Sequence, residues 1–148
     1  MIPKFRAWDK RRKEMWKVAT LHIEDEYADL FKTNIYEKPF DNPWAKFEDL
    51  ILMQSTGFKD NNDTEIFEGD VINIHWFYAD FDPVELGAFE NEEYAERVMV
   101  KKEFGNFGFW WEEADSWVDL ATLAMSSRLG EESFEILGNI YADPELLS

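Results

Sequence analysis

Short runs of aromatic and β-branched residues recur along the chain, and clusters of turn-forming residues separate them. The runs cover residues 5–8, 15–18, 50–53, 65–67, 71–77, 97–101, 107–111 and 134–141. Aromatic and β-branched side chains pack well on a pleated surface, so runs of this length and composition are typical of β-strands. The pattern predicts a mainly β fold of antiparallel strands.

The densest turn signals lie in residues 55–70. The glycines in this segment can take positive φ, and the Asp-Asn-Asn-Asp stretch at 60–63 can bond to its own backbone. The tight turn before the strand at 71–77 is an arrangement found in small SH3-like barrels, so we expect an SH3-like or related barrel. We interpret four residues as structural turn positions, namely Gly57, Gly69, Asp70 and Gly138.

Helical signals are few, and we expect one or two short helices. Residues 27–31 resemble a short helical turn. Apolar residues from Trp117 to Ala124 follow the i, i+3, i+4, i+7 spacing, which predicts an amphipathic helix over 115–126. Asp143 and Pro144 suit the N-cap and first position of a terminal helical turn.

The chain has 148 residues and no evident linker or repeat, which predicts a single domain over residues 1–148. Residues 78–96 interrupt the β pattern with a proline, a glycine and several glutamates, so we expect an acidic loop or helix inserted there. No apolar run approaches the roughly 18 residues of a membrane span, and the N-terminus lacks the apolar region of a signal peptide. We therefore expect a cytoplasmic protein.

The charge is strongly negative and unevenly distributed. Acidic side chains number 32 and basic ones 15, for a formal net charge of −17. Residues 1–17 are instead basic, and we interpret the run from Lys10 to Lys13 as the turn that joins the first two strands. A negative body repels the phosphate backbone, so direct nucleic-acid binding is not expected. Solubility is the simplest role of such a surface.

Catalytic and cofactor motifs are absent from the sequence. The lack of cysteine excludes disulfides, thiolate catalysis and cysteine-ligated metals. Neither His22 nor His75 has a second ligand at a metal-binding spacing, and the nucleophile-elbow, phosphate-loop and dinucleotide motifs do not occur. Close carboxylates such as Asp80 and Asp82 are expected by chance in so acidic a chain. We predict no enzymatic activity, no cofactor and no metal site.

Carboxylates and aromatic side chains are interleaved in the second half of the chain. Such a surface could occupy the basic groove of a nucleic-acid-binding protein, with carboxylates in place of phosphates and aromatic side chains as anchors. The residues that we predict to bind this partner are Glu90, Glu92, Glu93, Glu96, Trp110, Trp111, Glu112, Glu113 and Asp115, with Phe89, Tyr94 and Trp117 as further aromatic neighbours.

Two alternatives stay open at the level of sequence. The aromatic residues could line a pocket that stacks a planar ligand such as a nucleotide, although basic residues are scarce beyond position 17. They could instead bury against further copies of the chain in a self-assembling homo-oligomer.

Three blocks stand at the start, middle and end of the chain. They are Lys4–Asp9 with Met15-Trp16 after it, Leu52–Asp60 running into Glu65–Ile72, and Ile136–Leu147. Together they resemble the YopX-like proteins of bacteriophages and prophages. The resemblance implies a mostly β, self-associating protein that is encoded by a phage of a Gram-positive-type host and acts in the bacterial cytoplasm. It implies no particular activity.

The central turn departs from the family pattern. The pattern has Asn-Gly where this chain has Asn62-Asp63. Aspartate tolerates the left-handed region less well than glycine but better than most residues, so we expect the turn to survive.

Overall fold

The computed structural model describes the backbone of residues 3–32, 43–82, 87–126 and 133–147, and their side chains except at 77–82, 87–91, 125–126 and 133. The chain divides into two compact units, residues 1–57 and 58–148. The described elements are antiparallel strands with one α-helix and a few 3-10 turns, so the mainly β prediction is confirmed. The described strands of each sheet follow one another in a linear order. The SH3-like barrel and the single domain stay predictions.

In the first unit the strands follow the spatial order β4-β3-β2-β1-β5. Their bounds are β1 Phe5–Asp9, β2 Glu14–His22, β3 Tyr27–Phe31, β4 Trp44–Lys46 and β5 Leu50–Lys59, and the last two residues of β5 belong to the second unit. A 3-10 turn, Phe47–Asp49, precedes β5. The core of this unit is a cluster of small and branched side chains that includes Ala7, Ala28 and Leu30.

Residues 27–31 are a strand, so the prediction of a helical turn there is wrong. Strand β3 pairs with β2 on one side and with β4 on the other. Ala28 and Leu30 are buried while their neighbours are not, which is the two-residue alternation of a strand. Pairing on both edges decides the structure of a segment too short to carry a helical period.

The basic run is the turn between β1 and β2, as the sequence predicts. The buried carboxylate of Asp9 accepts the backbone N–H groups of Arg11 and Arg12 at 2.9 and 3.1 Å, and the Arg12 guanidinium at 2.9 Å. Burial raises the pKa of Asp9, but these backbone hydrogen bonds and the contact with Arg12 lower it by more. The net effect holds the pKa below its ordinary value, so Asp9 stays ionised and holds the turn.

The second unit contains two three-stranded antiparallel sheets, ordered β12-β7-β8 and β11-β10-β9. Its strands are β6 Glu65–Phe67, β7 Asp70–Asp82, β8 Gly87–Met99, β9 Lys101–Glu103, β10 Asn106–Trp111, β11 Ser116–Asp119 and β12 Ser133–Asn139. Helix α1 is Leu120–Ser126, and two 3-10 turns lie at Glu112–Ala114 and Pro144–Leu147. The core cluster of this unit contains Ile72, Phe109, Leu120 and Phe134.

The prediction of an acidic loop or helix inserted at 78–96 is wrong. Strand β7 runs to Asp82 and β8 begins at Gly87, and the two pair antiparallel from Val71–Met99 to Asp82–Gly87. Residues 83–86 lie outside the described residues. The glutamates of this segment favour helix as isolated residues, but that preference is worth only about a few tenths of a kcal/mol per residue, and backbone pairing with a long neighbouring strand outweighs it.

The helix predicted over 115–126 begins later, at Leu120. Residues 116–119 form β11, in which Trp117 pairs with Trp110 of β10. Asp115 precedes the strand with a left-handed backbone, φ 48°, and this conformation separates the strand from the 3-10 turn before it. The apolar spacing is real within the shorter helix, where Leu120 and Leu123 are buried.

Gly108 lies in β10 at a close approach to β11. A Cβ atom at this position would overlap the Val118 carbonyl oxygen and lie 2.9 Å from Cζ2 of Trp117. We expect Gly108→Ala to lower the free energy of unfolding by about 1–2 kcal/mol, because the paired strand must shift. Urea denaturation checks this, with Asn106→Ala at an exposed position of the same strand as the control. Equal stability of the two variants would contradict the close approach.

Candidate functional site

A cavity of about 960 Å³ opens on the second unit, and we call it the groove. Residues of β8, of β10 and the 3-10 turn after it, and of the C-terminal 3-10 turn line its walls. The charged and aromatic lining residues are Glu93, Tyr94, Glu96, Arg97, Lys101, Trp110, Trp111, Glu112 and Glu113, and Leu146 and Leu147 add apolar surface. The groove is therefore both acidic and aromatic.

Most of the predicted partner-binding residues meet in this groove. Six of them line it: Glu93, Glu96, Trp110, Trp111, Glu112 and Glu113. Glu92 instead contacts His75, and Asp115 is an exposed turn residue outside the lining. The side chain of Glu90 lies outside the described residues.

A β-bulge in β8 shapes one wall of the groove. The pairing register of β7 and β8 shifts between Ile72 and Ile74, and Arg97 has a left-handed backbone, φ 51°. The Arg97 N–H group donates to Oδ1 of Asn73 at 3.0 Å in place of a strand partner. Because the bulge breaks the two-residue alternation, the consecutive residues Glu96 and Arg97 are both exposed and both line the groove.

The charged side chains of the groove have no ion-pair partners among the described residues. This holds for Glu93, Glu96, Glu112 and Glu113, and also for Arg97 and Lys101, which share the cavity with them. Four carboxylates and two cations leave the lining with a formal charge of −2. The groove thus presents charges that the fold does not use for its own ion pairs.

Tyr94 is held in place although it is 54% exposed. Its ring stacks on His75 with 4.1 Å between centroids and 5° between planes, and its hydroxyl donates to Oε2 of Glu92 at 3.4 Å. Nε2 of His75 lies 2.9 Å from the same oxygen. Partial burial and then the charge of Glu92 raise the pKa of the Tyr94 phenol, which therefore stays neutral at physiological pH.

The two tryptophans of β10 differ in their surroundings. Trp111 is half-buried and packs edge-to-face on the core residue Trp76, with ring centroids 5.2 Å apart. Trp110 is 47% exposed. The alternation of β10 therefore sends one indole toward the core and leaves the other largely in solvent.

Both histidines of the chain sit in the same local arrangement. His22 stacks on Tyr27, its partner in the β2–β3 register, with centroids 4.1 Å apart, and Nε2 lies 2.8 Å from Asp29. His75 pairs with Tyr94 and contacts Glu92 in the same way. Across the described ranges no group of three or more His, Cys, Asp or Glu residues is placed to hold a metal ion.

Of the four predicted turn positions, Gly69 lies in a turn and Asp70 begins β7, whereas Gly57 and Gly138 lie within β5 and β12. Gly57 and Gly69 have positive φ, 82° and 86°. Oδ2 of Asp70 accepts the Phe67 N–H at 2.8 Å and closes the turn before β7. A Cβ on Gly138 would overlap the Asp143 carboxylate, which accepts the N–H of Asn139 at 3.3 Å.

The central turn survives with Asp63 where the family pattern has glycine. Asp63 takes the left-handed conformation, φ 64°. Its N–H donates to the backbone carbonyl of Asp60 at 3.0 Å. The substitution therefore keeps the backbone geometry of the turn.

Sequence reasoning missed the part that the C-terminus plays in the groove. Leu146 and Leu147 line it, but a terminal turn carries no local signal of the surface that it packs against. Tyr94 was expected beside the predicted acidic residues, whereas the cations Arg97 and Lys101 were recognisable as residue types but not as neighbours of those residues. No helix within the described residues is long and apolar enough to cross a membrane.

The fold and the groove define a mainly β protein of two compact units, one of which carries an acidic, aromatic-lined cavity. The model of the family described as YopX protein matches residues 4–148. The chain therefore belongs to the YopX family, as its three sequence blocks indicate.

Solved structures that are similar to this chain include the crystal structure of protein EF1440 from Enterococcus faecalis. Its sequence identity to this chain is 26% and the TM-score is 0.57. The similarity covers 100% of this chain and 99% of that one. No curated protein matches the chain.

Proposed function

We propose that this YopX-family protein is a non-enzymatic binding module that holds a basic surface of another protein in the groove. The observation that carries the proposal is the convergence of six predicted residues on one cavity whose charges lack internal partners among the described residues. A groove of unpaired carboxylates beside exposed aromatic rings combines electrostatic attraction with anchors for contact.

The distribution of charge between the two units supports this proposal. The first unit has ten basic and ten acidic side chains and is neutral, whereas the second has five basic and 22 acidic ones. The whole net charge of −17 therefore belongs to the unit that contains the groove. A concentrated negative field attracts a basic partner at long range.

The partner class that fits best is a host or phage protein that binds nucleic acid. Such a protein has a basic surface that binds phosphate groups. The exposed carboxylates Glu96, Glu112 and Glu113 can occupy the positions of those phosphates. The nucleotide alternative is less favourable, because four carboxylates and only two cations line the cavity. We also infer, from the family resemblance, a phage origin, a bacterial cytoplasmic location and self-association.

The residue types of the groove support a non-enzymatic role. Its described lining contains no histidine, serine, threonine or cysteine. These side chains are the usual nucleophiles and bases of acyl-transfer sites. Binding without chemistry is the function that this lining serves best.

Charge reversal in the groove provides the test. We expect the double substitution Glu112→Lys and Glu113→Lys to weaken capture of basic bacterial proteins about tenfold at low ionic strength, because attraction becomes repulsion at exposed positions. Quantitative mass spectrometry of proteins captured from a bacterial lysate, at low and high salt, measures this. Added duplex DNA should displace the captured proteins.

The matched control makes the same charge change in the first unit. Glu24→Lys with Asp25→Lys alters two exposed residues of the β2–β3 turn. This variant should capture the same proteins as the unmodified chain. Equal losses in the two double variants would show that only total charge matters and would sink the assignment to the groove.

A further inference from the structure

We infer that the groove recognises an arginine side chain of its partner, held against the exposed rings of Tyr94 and Trp110 and paired with the surrounding carboxylates. The inference rests on the proposed function and specifies the chemistry of the contact. It requires a short basic segment that enters the cavity, and not only a complementary charged face.

The first step is the pair of exposed aromatic rings in one cavity. Tyr94 is 54% exposed and Trp110 is 47% exposed, and both line the groove. The faces of indole and phenol rings attract cations, most strongly where other groups limit access of water. The rings therefore offer a cation a contact that carboxylates alone do not.

The second step is that Tyr94 is ordered before any partner binds. The stack on His75 and the hydrogen bond to Glu92 fix its ring. A second ring of the groove lining, that of Trp111, is fixed by edge-to-face packing on the core residue Trp76. A partner thus loses little free energy in ordering the site, because the aromatic groups are already positioned.

The third step is the charge that the groove leaves unpaired. Arg97 and Lys101 line the same cavity, yet neither forms an ion pair with a described carboxylate. The lining retains a formal charge of −2, which one or two added cations would neutralise. This favours a short segment with one or two basic residues over a long polycation.

Arginine fits these features better than lysine. A guanidinium is planar, stacks flat on aromatic rings, and binds carboxylates through two parallel hydrogen bonds. It is also less strongly hydrated than an ammonium group, so it enters a half-enclosed cavity at a lower desolvation cost. A site that combines rings and carboxylates therefore discriminates in favour of arginine.

Three capped pentapeptides test the inference on the unmodified, full-length chain. They have the form Gly-X-Gly-X-Gly, where X is arginine, lysine or citrulline, and calorimetric titration at low salt measures their affinities. We expect the arginine peptide to bind more tightly than the lysine peptide, and the uncharged citrulline peptide to bind at least about tenfold more weakly than the arginine peptide.

A tryptophan substitution locates the contact. Trp110→Leu keeps an apolar side chain but removes the ring, so we expect about fivefold weaker binding of the arginine peptide. Trp44→Leu is the control, because Trp44 is a similarly exposed tryptophan, 59%, in the first unit. It should leave the affinity unchanged, and circular dichroism verifies that both variants are folded.

The outcomes separate this inference from the proposed function. Equal affinities for the arginine and lysine peptides, or equal effects of the two tryptophan substitutions, overturn the arginine site. If charge reversal at Glu112 and Glu113 still weakens protein capture in that case, the binding module stands without the arginine site. If capture is also insensitive to charge reversal, both fail.

Discussion

Truncation of Phe109 to alanine should lower the free energy of unfolding by about 3–5 kcal/mol, the largest effect of any single substitution that we expect. Phe109 has no exposed surface and is the largest fully buried side chain of the described residues. It belongs to the core cluster of the second unit, together with Ile72, Leu120 and Phe134. Removal of its ring leaves a cavity among side chains that the surrounding sheets hold in place.

Urea denaturation followed by circular dichroism measures this effect. Phe104→Ala is the matched control, because Phe104 is 83% exposed at the β9–β10 turn, five residues earlier. Its loss should change stability by no more than about 0.5 kcal/mol. A loss at Phe109 as small as that of the control would mean that β10 does not pack as the structure describes.

Replacement of Asp60 by asparagine should lower the free energy of unfolding by about 2–3 kcal/mol at neutral pH. Asp60 is a buried carboxylate in the turn that follows β5. Its Oδ1 accepts the N–H groups of Asn62 and Thr64 at 2.9 and 2.8 Å, and its Oδ2 accepts that of Ile136 at 3.4 Å. The substitution removes the negative charge. It also replaces one carboxylate oxygen by an NH₂ group, which cannot accept the backbone N–H group that faces it.

The pH dependence of this variant follows from the pKa of Asp60. Burial raises the pKa, but the hydrogen bonds from Thr64, Asn62 and Ile136 lower it by more, so the folded value lies below 3.8. When folding lowers the pKa of a carboxylate, the ionised group stabilises the folded protein. This stabilisation is fully present at pH values above the pKa of the unfolded chain, and it is lost as the pH falls through the pKa of the folded protein. The difference between Asp60→Asn and the unmodified chain should therefore be constant near neutral pH and shrink below about pH 4.

Asp63→Asn provides the control for this prediction. The substitution is chemically identical and lies in the same turn, but the Asp63 side chain is 84% exposed and only faces Lys59 at 3.4 Å. Exposed ion pairs contribute roughly 0–1 kcal/mol, so the control should be nearly neutral. Comparable losses at the two positions, or a loss at Asp60 that does not change at low pH, would contradict the role of the buried carboxylate.

The strands that contain residues 71–77 and 107–111 could be predicted because their signals are local. Residues 71–77 and 107–111 combine aromatic and β-branched side chains with turns on either side, and both lie within strands of the structure. Phe104 and Gly105 form the β9–β10 turn with positive φ, a conformation that glycine adopts without strain. Such features depend on a few neighbouring residues and their backbone preferences.

The segments whose predicted structure was wrong have weak local preferences for helix or strand. Each of them pairs with a neighbouring strand that the local pattern does not reveal. Residues 87–96 are glutamate-rich and form a strand through pairing with β7, and residues 116–119 form a strand through pairing with β10. In both cases the backbone hydrogen bonds to a neighbouring strand outweigh the preference of the isolated segment. No pattern within either segment reveals that a partner strand is available.

Local features of the amino-acid sequence predict the mainly β class, the turn before β7, the family and the types of residue that a binding surface would use. These depend on composition, on the three sequence blocks and on backbone preferences within a few residues. The folded structure, in contrast, placed Glu93 and Glu96 of β8 in one groove with Trp110, Glu112 and the C-terminal leucines. It did so because the pairing of strands, and a bulge at Arg97 that turns two consecutive side chains outward, join positions that are far apart in the chain.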